Sequence, residues 1–182
     1  MNSLILVAKG KDAAIIKQLI NEMYGSEYEK REISQIEESI ENRREIYTLA
    51  FEDDLLIGFA GASTQSEEYL DVTQEVRTVI DYVYIKKSYR GFIYAYKLIK
   101  KLVAELVDNQ INSAIMQVQT YNKQRFFHYA LSDKNIIKCT KCSSKGKDYE
   151  DQILLIKDLK KVLQMDMKDI LTKVEEYKTI EK

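Results

Sequence analysis

The chain has 182 residues, of which 45% are hydrophobic and 31% are charged, and its formal net charge is −1. This composition is typical of a globular chain that can bury one core, and it excludes an intrinsically disordered chain. The near-neutral charge argues against a broad nucleic-acid-binding surface, although it leaves room for a local basic patch.

Neither a membrane span nor a targeting segment is expected. No apolar run approaches the roughly 18 residues that a spanning helix needs. The short apolar run over residues 4–8 has no basic region before it, unlike a secretory signal peptide. The chain has two cysteines, Cys139 and Cys142, and with no targeting segment this predicts a cytoplasmic protein. A zinc site needs a second cysteine or histidine pair, so we expect ordinary thiols.

The first half of the chain reads as strand, two helices and a hairpin. Strands are predicted over residues 3–8, 46–52 and 55–64, and helices over residues 13–23 and 35–44. Asp12 and Ser34 are expected to cap the two helices, and Gly25 lies in the polar loop between them. Asp53 and Asp54 separate two alternating runs, which predicts a β-hairpin. The polar residues 65–77 either lengthen the next hairpin or form a loop.

The second half begins with a strand, a basic turn and a helix. Further strands are predicted over residues 78–85, 114–120, 136–142 and 152–158, and further helices over residues 122–131 and 159–177. The helix after the turn carries an apolar stripe of Ile93, Leu98, Ile99, Leu102, Val103 and Leu106. The first N–H groups of a helix lack intrahelical partners, and its dipole favours negative charge there. Together with the basic residues of the turn, this arrangement predicts an anion-binding site.

Residues 80–92 resemble the cofactor-binding motif of the GNAT superfamily of N-acetyltransferases, in which a turn of the form Arg/Gln-x-x-Gly-x-Gly/Ala follows a hydrophobic strand. The resemblance implies that acetyl-coenzyme A is the co-substrate. It assigns the pyrophosphate to the turn formed by Arg90, Gly91, Phe92, Ile93, Tyr94 and Ala95, and the pantetheine amides to the strand edge formed by Val83, Tyr84 and Ile85. Ile93 departs from the pattern, which usually has glycine there. A β-branched residue avoids positive φ, but its N–H can still donate from a helical conformation.

A second match to the family lies downstream. The family pattern Asn-x-x-Ala-x-x-Phe/Leu-Tyr resembles the segment from Asn122 to Tyr129, with Arg125 in place of the usual small residue. The resemblance implies that Asn122 contacts the pantetheine arm and that the Tyr129 hydroxyl is the general acid near the coenzyme sulfur. Without the resemblance, a tyrosine at the end of an apolar helix is an ordinary core residue. The neighbouring His128 is expected to point away from the site, because adjacent helix positions do not share a face.

Asp81 is the candidate general base. A partly buried carboxylate on the central strand has a raised pKa and can accept a proton from an ammonium, directly or through water. An alignment with spermidine acetyltransferases places Asp81 on the acidic residue that has this role. The structural alternative is a carboxylate satisfied by a backbone N–H or by Arg77. Acidic residues of the loops, which could attract a cationic amine, are Glu27, Glu29, Glu67, Glu68, Asp71 and Glu75.

These observations predict an α+β GNAT fold, with a central mixed, mostly antiparallel sheet flanked by helices. Residues 1–158 are expected to form the acetyltransferase domain and residues 159–182 its C-terminal helical extension. The predicted function is acetyl transfer from acetyl-coenzyme A to a primary amine of a small molecule or protein. The alternatives are a catalytically inactive GNAT-fold binding or structural module, and modification of a nucleobase or a tRNA-borne amine, which the charge disfavours. The last helix packs on its own domain or pairs two subunits as a homodimer.

Overall fold

The computed structural model of the protein describes residues 3–68, 75–90, 92–119, 137–143, 150–169 and 172. Seven strands lie in these residues: β1 (Ser3–Val7), β2 (Glu45–Glu52), β3 (Leu55–Ser63), β4 (Val79–Ile85), β5 (Ala114–Gln119), β6 (Ile137–Ser143) and β7 (Glu150–Ile156). The helices are α1 (Ala13–Tyr24), α2 (Ile33–Glu41), α3 (Phe92–Asp108) and α4 (Leu159–Gln164). Two short 3-10 turns, Gly10–Asp12 and Lys87–Tyr89, precede α1 and α3.

All seven described strands form one sheet in the order β1-β2-β3-β4-β5-β7-β6. Every neighbouring pair is antiparallel except β4 and β5, which are parallel and are connected through α3. Parallel neighbours need such a crossover, whereas antiparallel neighbours need only a short turn. The predicted mixed, mostly antiparallel sheet with flanking helices is therefore confirmed.

Helices cover both faces of the sheet. On one face, α3 and α4 bury an apolar stripe that includes Leu98, Leu102 and Leu159. On the other face, α1 and α2 pack Ile16 and Ile36 against β2 and β3. The second face also carries most of the aromatic side chains of the sheet. The two faces therefore differ in composition, and the aromatic face is where the candidate site lies.

The predicted hairpin is confirmed by the backbone of its turn. Asp53 and Asp54 join β2 to β3 with positive φ angles of 45° and 66°. A two-residue turn with both central φ angles positive matches the right-handed twist of the strands, and aspartate tolerates this conformation better than most residues. No strand lies in the described residues between β3 and β4, so the part of residues 65–77 that is described is loop.

Of the two predicted helix caps, Asp12 has the predicted position and Ser34 does not. Asp12 is the N-cap residue of α1, as predicted, but its carboxylate accepts a hydrogen bond from Lys9 N at 2.8 Å and makes no capping hydrogen bond to α1. Ser34 lies inside α2, which starts one residue earlier, and the Gln35 side chain accepts a hydrogen bond from Glu32 N at 2.8 Å. In both places a side chain reaches back three residues to a free backbone N–H, and only α2 begins before the residue that resembles a cap.

The predicted single C-terminal helix over residues 159–177 is interrupted. Helix α4 ends at Gln164, and Met165 has an extended backbone. The Asp166 carboxylate then accepts a hydrogen bond from Lys168 N at 3.2 Å, which starts a new helical turn. The Tyr96 hydroxyl donates to Met165 O at 2.9 Å, so tertiary contact stabilises the break. The apolar periodicity continues across the break, which explains the wrong prediction.

In the described part of the chain, no helix is both long enough and apolar enough to cross a membrane. The described residues also contain no cluster of His, Cys, Asp and Glu that could hold a metal ion.

Candidate active site

Strands β4 and β5 pair only at their first residues and then separate. Val79 pairs with Ile115 and Ile80 pairs with Met116, and no further pairs join the two strands. Beyond this point β5 pairs with β7 alone, over its whole length to Gln119. Over the rest of β4, no described strand pairs with the backbone N–H and C=O groups of its β5-facing edge. Such an edge can bind an extended ligand that carries amide groups.

A β-bulge lies where the two strands separate. On the opposite side of β4, Gly61 pairs with Tyr82 and Ala62 pairs with Ile80, so Asp81 is the extra residue between them. A bulge bends the strand and redirects the side chain of the extra residue. The Oδ2 atom of Asp81 accepts two hydrogen bonds from Ser63, from the backbone N at 3.0 Å and from Oγ at 2.6 Å.

The pKa of Asp81 is unusual for an aspartate. Burial raises it from 3.8 to about 6, against the two hydrogen bonds from Ser63, which lower it. The carboxylates of Glu68 and Glu45 also raise it by repulsion. A carboxylate with this pKa is mostly ionised at neutral pH and is a stronger base than an exposed aspartate.

Two tyrosine rings stack next to Asp81 across a glycine. Tyr47 of β2 and Tyr82 of β4 flank Gly61 of β3 in register, and their ring centroids lie 6.1 Å apart. A Cβ atom on Gly61 would lie 2.5 Å from the Tyr47 ring and 3.0 Å from the Tyr82 ring. Glycine at this position lets the two rings meet over the middle strand. The Tyr47 hydroxyl is buried, and no described residue hydrogen-bonds to it.

The aromatic surface extends to the C-terminal end of α1. Tyr24 and Tyr28 stack with centroids 4.5 Å apart, and Tyr24 contacts the edge of Tyr82 at 6.1 Å. Tyr24 is 47% exposed and Tyr28 is 57% exposed. Burial, then Tyr28 and Asp81, raise the pKa of Tyr24, so it lies near the Asp81 carboxylate. These exposed rings form a wall on the α1 side of Asp81.

An ion-pair network fixes the loop that carries Tyr28. Arg31 donates to Glu29 with Nη2 at 2.7 Å and with Nε at 3.0 Å, and it donates to Glu45 of β2 with Nη1 at 2.9 Å. Glu29 and Glu45 are 8% and 9% exposed. Burial alone raises the pKa of Glu29, but the hydrogen bonds from Arg31 outweigh it and lower that pKa. Asn21 Oδ1 accepts from Glu29 N at 2.8 Å, so the loop is held at both α1 and β2.

The turn between β4 and α3 has the features expected of an anion site. Arg90 Nε donates to Ile85 O at 3.2 Å, which places its guanidinium at the C-terminal end of β4. Ile93 is 52% exposed and is therefore not part of the buried stripe of α3, contrary to the prediction. Its φ is not positive, so the residue has an ordinary helical backbone in the first turn. The isoleucine therefore leaves its N–H on the open end of the helix.

The neighbouring residues of the turn are also accounted for. The Tyr94 hydroxyl donates to Glu52 Oε1 at 2.5 Å, which, with burial, raises the pKa of Tyr94 to about 12. Ala95 and Tyr94 pack against the core between α3 and the sheet. Val83, Tyr84 and Ile85 lie on the part of β4 that β5 does not pair. Tyr84 donates a 2.7 Å hydrogen bond from its hydroxyl to Glu22, on the α1 side.

Several predicted site residues lie outside the described residues. These are Gly91, Asn122, Tyr129 and the loop residue Asp71, and His128, which was expected to point away from the site, also lies outside them. Phe92 is the first residue of α3, and Cys139 and Cys142 lie in β6. Of the predicted site residues that are described, Asp81 and the exposed edge of β4 meet at the point where β4 and β5 separate.

Sequence reasoning missed the hydroxyl of Ser63, the aromatic surface and the role of Arg31. The 13 tyrosines are a signal that was visible, since five of them, Tyr24, Tyr28, Tyr47, Tyr82 and Tyr84, contact one another or a shared phenylalanine, Phe59. Ser63 gave no signal, because it lies 18 residues from Asp81 and meets it only through strand pairing.

Comparison with known proteins identifies the protein family. Residues 13–129 match the sequence model of the acetyltransferase (GNAT) family. This match covers more than half of the chain, so the chain belongs to the GNAT family of acetyltransferases. A comparison with curated proteins found no match.

Solved structures of this family share the fold. A GNAT-family acetyltransferase from Streptococcus pneumoniae superposes with a TM-score of 0.61 at 18% identity, over 85% of this chain and 97% of that one. An N-acetyltransferase from Thermoplasma acidophilum in complex with coenzyme A gives a TM-score of 0.58 at 18% identity, over 86% and 99%. Diaminobutyrate acetyltransferase from Paenibacillus lautus, in complex with its substrate and coenzyme A, gives 0.58 at 12% identity, over 87% and 96%. At identities this low, the structural similarity establishes a common fold and nothing further.

Proposed function

We propose that this GNAT-family protein transfers an acetyl group from acetyl-coenzyme A to a primary amine by direct attack of the amine on the thioester. The observation that carries the proposal is the position of the Asp81 carboxylate. It is buried in a bulge at the point where β4 and β5 separate, next to an unpaired strand edge. A base beside an amide-binding edge suits a thioester substrate and a protonated nucleophile.

The edge of β4 and the turn after it suit the coenzyme. The backbone of Val83, Tyr84 and Ile85 would hydrogen-bond the pantetheine amides, and Asn122 would contact the same arm. The free N–H groups at the start of α3, with the Arg90 guanidinium, would hold the pyrophosphate. Ile93 supports this assignment because its helical backbone keeps the N–H available without glycine.

The proposed reaction needs three proton transfers, two from the nitrogen of the acceptor and one to the sulfur of the coenzyme. Asp81 takes a proton from the ammonium of the acceptor, and the neutral amine attacks the thioester carbon. The C–N bond forms, and the C–S bond breaks as the tetrahedral intermediate collapses. The amine nitrogen loses its second proton to solvent, and Tyr129 donates a proton to the departing thiolate. The products are the acetylated amine and free coenzyme A.

The acceptor side of the site suits a cationic amine. The carboxylates of Glu68 and Glu45 both act electrostatically on Asp81, so negative charge is concentrated around the candidate base. The exposed rings of Tyr24 and Tyr28 offer π faces that attract ammonium groups. We therefore propose a small-molecule or protein amine as the acceptor, in agreement with the diaminobutyrate substrate of the Paenibacillus lautus enzyme.

We place the protein in the cytoplasm and treat residues 1–158 with the extension 159–182 as one domain. Leu159 and Val162 of α4 belong to the core that α3 forms with the sheet, which supports this assignment. A homodimer through the C-terminal segment is the less favoured arrangement, and nucleic acid is not the favoured partner.

The rival function is a GNAT-fold binding module without catalysis. The substitutions that favour it are Ile93 and Arg125, which replace residues that are usually small. Ile93 gives this rival little support, because its side chain is exposed and its backbone is helical. A base with a raised pKa is also more than a binding module requires.

Titration calorimetry with acetyl-coenzyme A tests the coenzyme site before any acceptor is known. We expect binding in the micromolar range and a rise in melting temperature with ligand concentration. Ile93→Gly should bind as well as the parent chain or better, and Arg90→Ala should bind more weakly. Neither heat nor a thermal shift at millimolar coenzyme would contradict the proposed function. Binding without acetyl transfer to any amine in a broad panel would favour the rival.

A further inference from the structure

Ser63 ends β3 directly beside the bulge of β4, and in the described residues it alone hydrogen-bonds to the Asp81 carboxylate. Its backbone N and its Oγ lie 3.0 Å and 2.6 Å from the same oxygen, Oδ2. The backbone bond depends on the strand pairing, since Ser63 pairs with Val79 two residues before Asp81. The hydroxyl bond depends on the side chain alone.

Two hydrogen bonds on one oxygen fix the plane and the rotation of a carboxylate. Ser63 occupies Oδ2, and no described residue donates to Oδ1. Asp81 acts electrostatically on Tyr24 of α1 and on Tyr82 of β4, so both aromatic side chains lie near its carboxylate. As far as the described part of the chain is concerned, the second oxygen is thus the one left for a group in the acceptor cleft.

We propose that Ser63 is a positioning residue, which holds Asp81 by Oδ2 so that Oδ1 is the atom that accepts the proton of the acceptor amine. The role of Oδ1 rests on the proposed acetyl transfer, whereas the link between Ser63 and Asp81 does not. Ser63 touches neither substrate in this scheme. It acts by orienting the base and by stabilising its ionised form.

The charged state of Asp81 has several determinants besides Ser63. Glu68, in the segment after β3, and Glu45, at the start of β2, both favour the protonated acid by repulsion. Tyr24 and Tyr82 are neutral at physiological pH, because burial, in each case the largest cause, raises the pKa of both. The hydrogen bonds from Ser63 oppose burial and the two glutamates. Removing the hydroxyl should therefore shift the proton equilibrium of Asp81 toward the acid.

A titration of the protein alone tests the link. The carboxyl carbon of Asp81 can be followed by NMR in aspartate-labelled protein, and its signal is the one that disappears in Asp81→Asn. Ser63→Ala should raise the pKa of this group by about one unit, as expected for loss of a hydrogen bond to the charged form. Ser63→Thr keeps a hydroxyl and should restore the parent value. An unchanged pKa in Ser63→Ala would overturn the proposal.

Thr64→Ala is the matched control. It removes a hydroxyl from the next residue, which donates to Arg43 O at 2.8 Å and does not contact Asp81. Its Asp81 titration should equal that of the parent chain, and an equal shift in both variants would show a general effect of the β3 end. Should Ser63→Ala fail to fold, Ser63→Cys keeps a weak donor and should give an intermediate pKa.

Kinetics then test the role of Oδ1. In Ser63→Ala, the acid limb of the kcat/KM profile should move upward by the same amount as the NMR titration, with the KM for acetyl-coenzyme A unchanged. The limiting kcat should also fall about threefold to 30-fold, because the base is less well oriented. If the NMR pKa rises in Ser63→Ala but the acid limb of the kcat/KM profile stays at the same pH, the assignment of Asp81 Oδ1 as proton acceptor is wrong. A shifted NMR pKa with no transfer to any amine would support the Ser63–Asp81 link and contradict the proposed function.

Discussion

At the scale of single residues, burial of the Asp81 carboxylate should lower the free energy of unfolding at neutral pH. Its pKa rises from 3.8 to about 6 when the chain folds, so the folded protein binds more protons than the unfolded one between these values. The free energy of unfolding therefore falls as the pH rises through this window, and the loss is complete above it. Buried carboxylates with raised pKa values are typical of active sites, where function and stability oppose each other.

Asp81→Asn should raise stability and lower activity. At pH 8, we expect the free energy of unfolding to increase by up to about 2 kcal/mol, with a much smaller gain at pH 4, where the folded carboxyl is protonated and the unfolded one is only about half ionised. In the same variant kcat/KM at pH 8 should fall about 100-fold or more. Denaturant unfolding at the two pH values and steady-state kinetics measure these effects. Glu38→Gln, which removes an exposed carboxylate paired with Arg44, is the control.

If Asp81→Asn destabilises the protein equally at both pH values, the carboxylate is structural and the assignment of the base is wrong. Retained activity would lead to the same conclusion.

Tyr129→Phe tests the proposed general acid. Loss of the hydroxyl should lower kcat about 10- to 1000-fold, while the affinity for acetyl-coenzyme A changes little, because only the departing thiolate needs the proton. Single-turnover kinetics and calorimetry on the same variant separate the two quantities. A fully active Tyr129→Phe would mean that solvent or another residue protonates the thiolate.

At the scale of elements, the aromatic surface depends on a glycine in β3. Gly61→Ala would place a methyl group 2.5 Å from the Tyr47 ring, closer than such atoms approach without rearrangement. Overpacking of this kind costs about 1–3 kcal/mol. We therefore expect a lower melting temperature and a higher KM for the amine, with the affinity for acetyl-coenzyme A preserved. Equal weakening of both substrates would indicate general damage to the sheet.

Arg31 offers a second test on the element scale, since it joins the α1–α2 loop to β2. Arg31→Met should leave Glu29 and Glu45 without their shared cation, and buried unpaired charges are strongly destabilising, by about 3 kcal/mol or more. The triple variant Arg31→Met, Glu29→Gln, Glu45→Gln should recover much of that loss. Denaturant unfolding of the parent and the two variants measures it, and a single variant as stable as the parent would show that the network contributes nothing.

The elements were largely predictable from local patterns, and the site only in part. The hairpin at Asp53 and Asp54 followed from alternation and turn residues, both of which are local. The bulge at Asp81 and the hydrogen bond from Ser63 did not, because strand register depends on residues far apart in the sequence. Ile93 was assigned to the buried stripe by periodicity, whereas its position in the first turn leaves it exposed. Local sequence thus predicts which elements form, and tertiary contact decides where they end and what they face.

At the scale of the whole molecule, the sequence allows two partners for the C-terminal segment, the chain's own domain or a second subunit. Leu159 is fully buried and Val162 is 7% exposed, both against the core formed by α3 and the sheet. The Asp158 carboxylate caps α4 by accepting hydrogen bonds from Lys160 N and Lys161 N. These contacts are intramolecular, and they favour packing of α4 on its own domain.

Two truncations separate this arrangement from a homodimer. Truncation after Asp158 removes α4 with both buried side chains, and we expect the chain to unfold or aggregate, because losing two core side chains costs about 4 kcal/mol or more. Truncation after Asp166 keeps α4 and the hydrogen bond from Tyr96 to Met165. That variant should stay folded and keep the oligomeric state of the parent chain in light scattering. A full-length dimer that becomes a folded monomer after this shorter truncation would instead place residues 167–182 in a subunit interface.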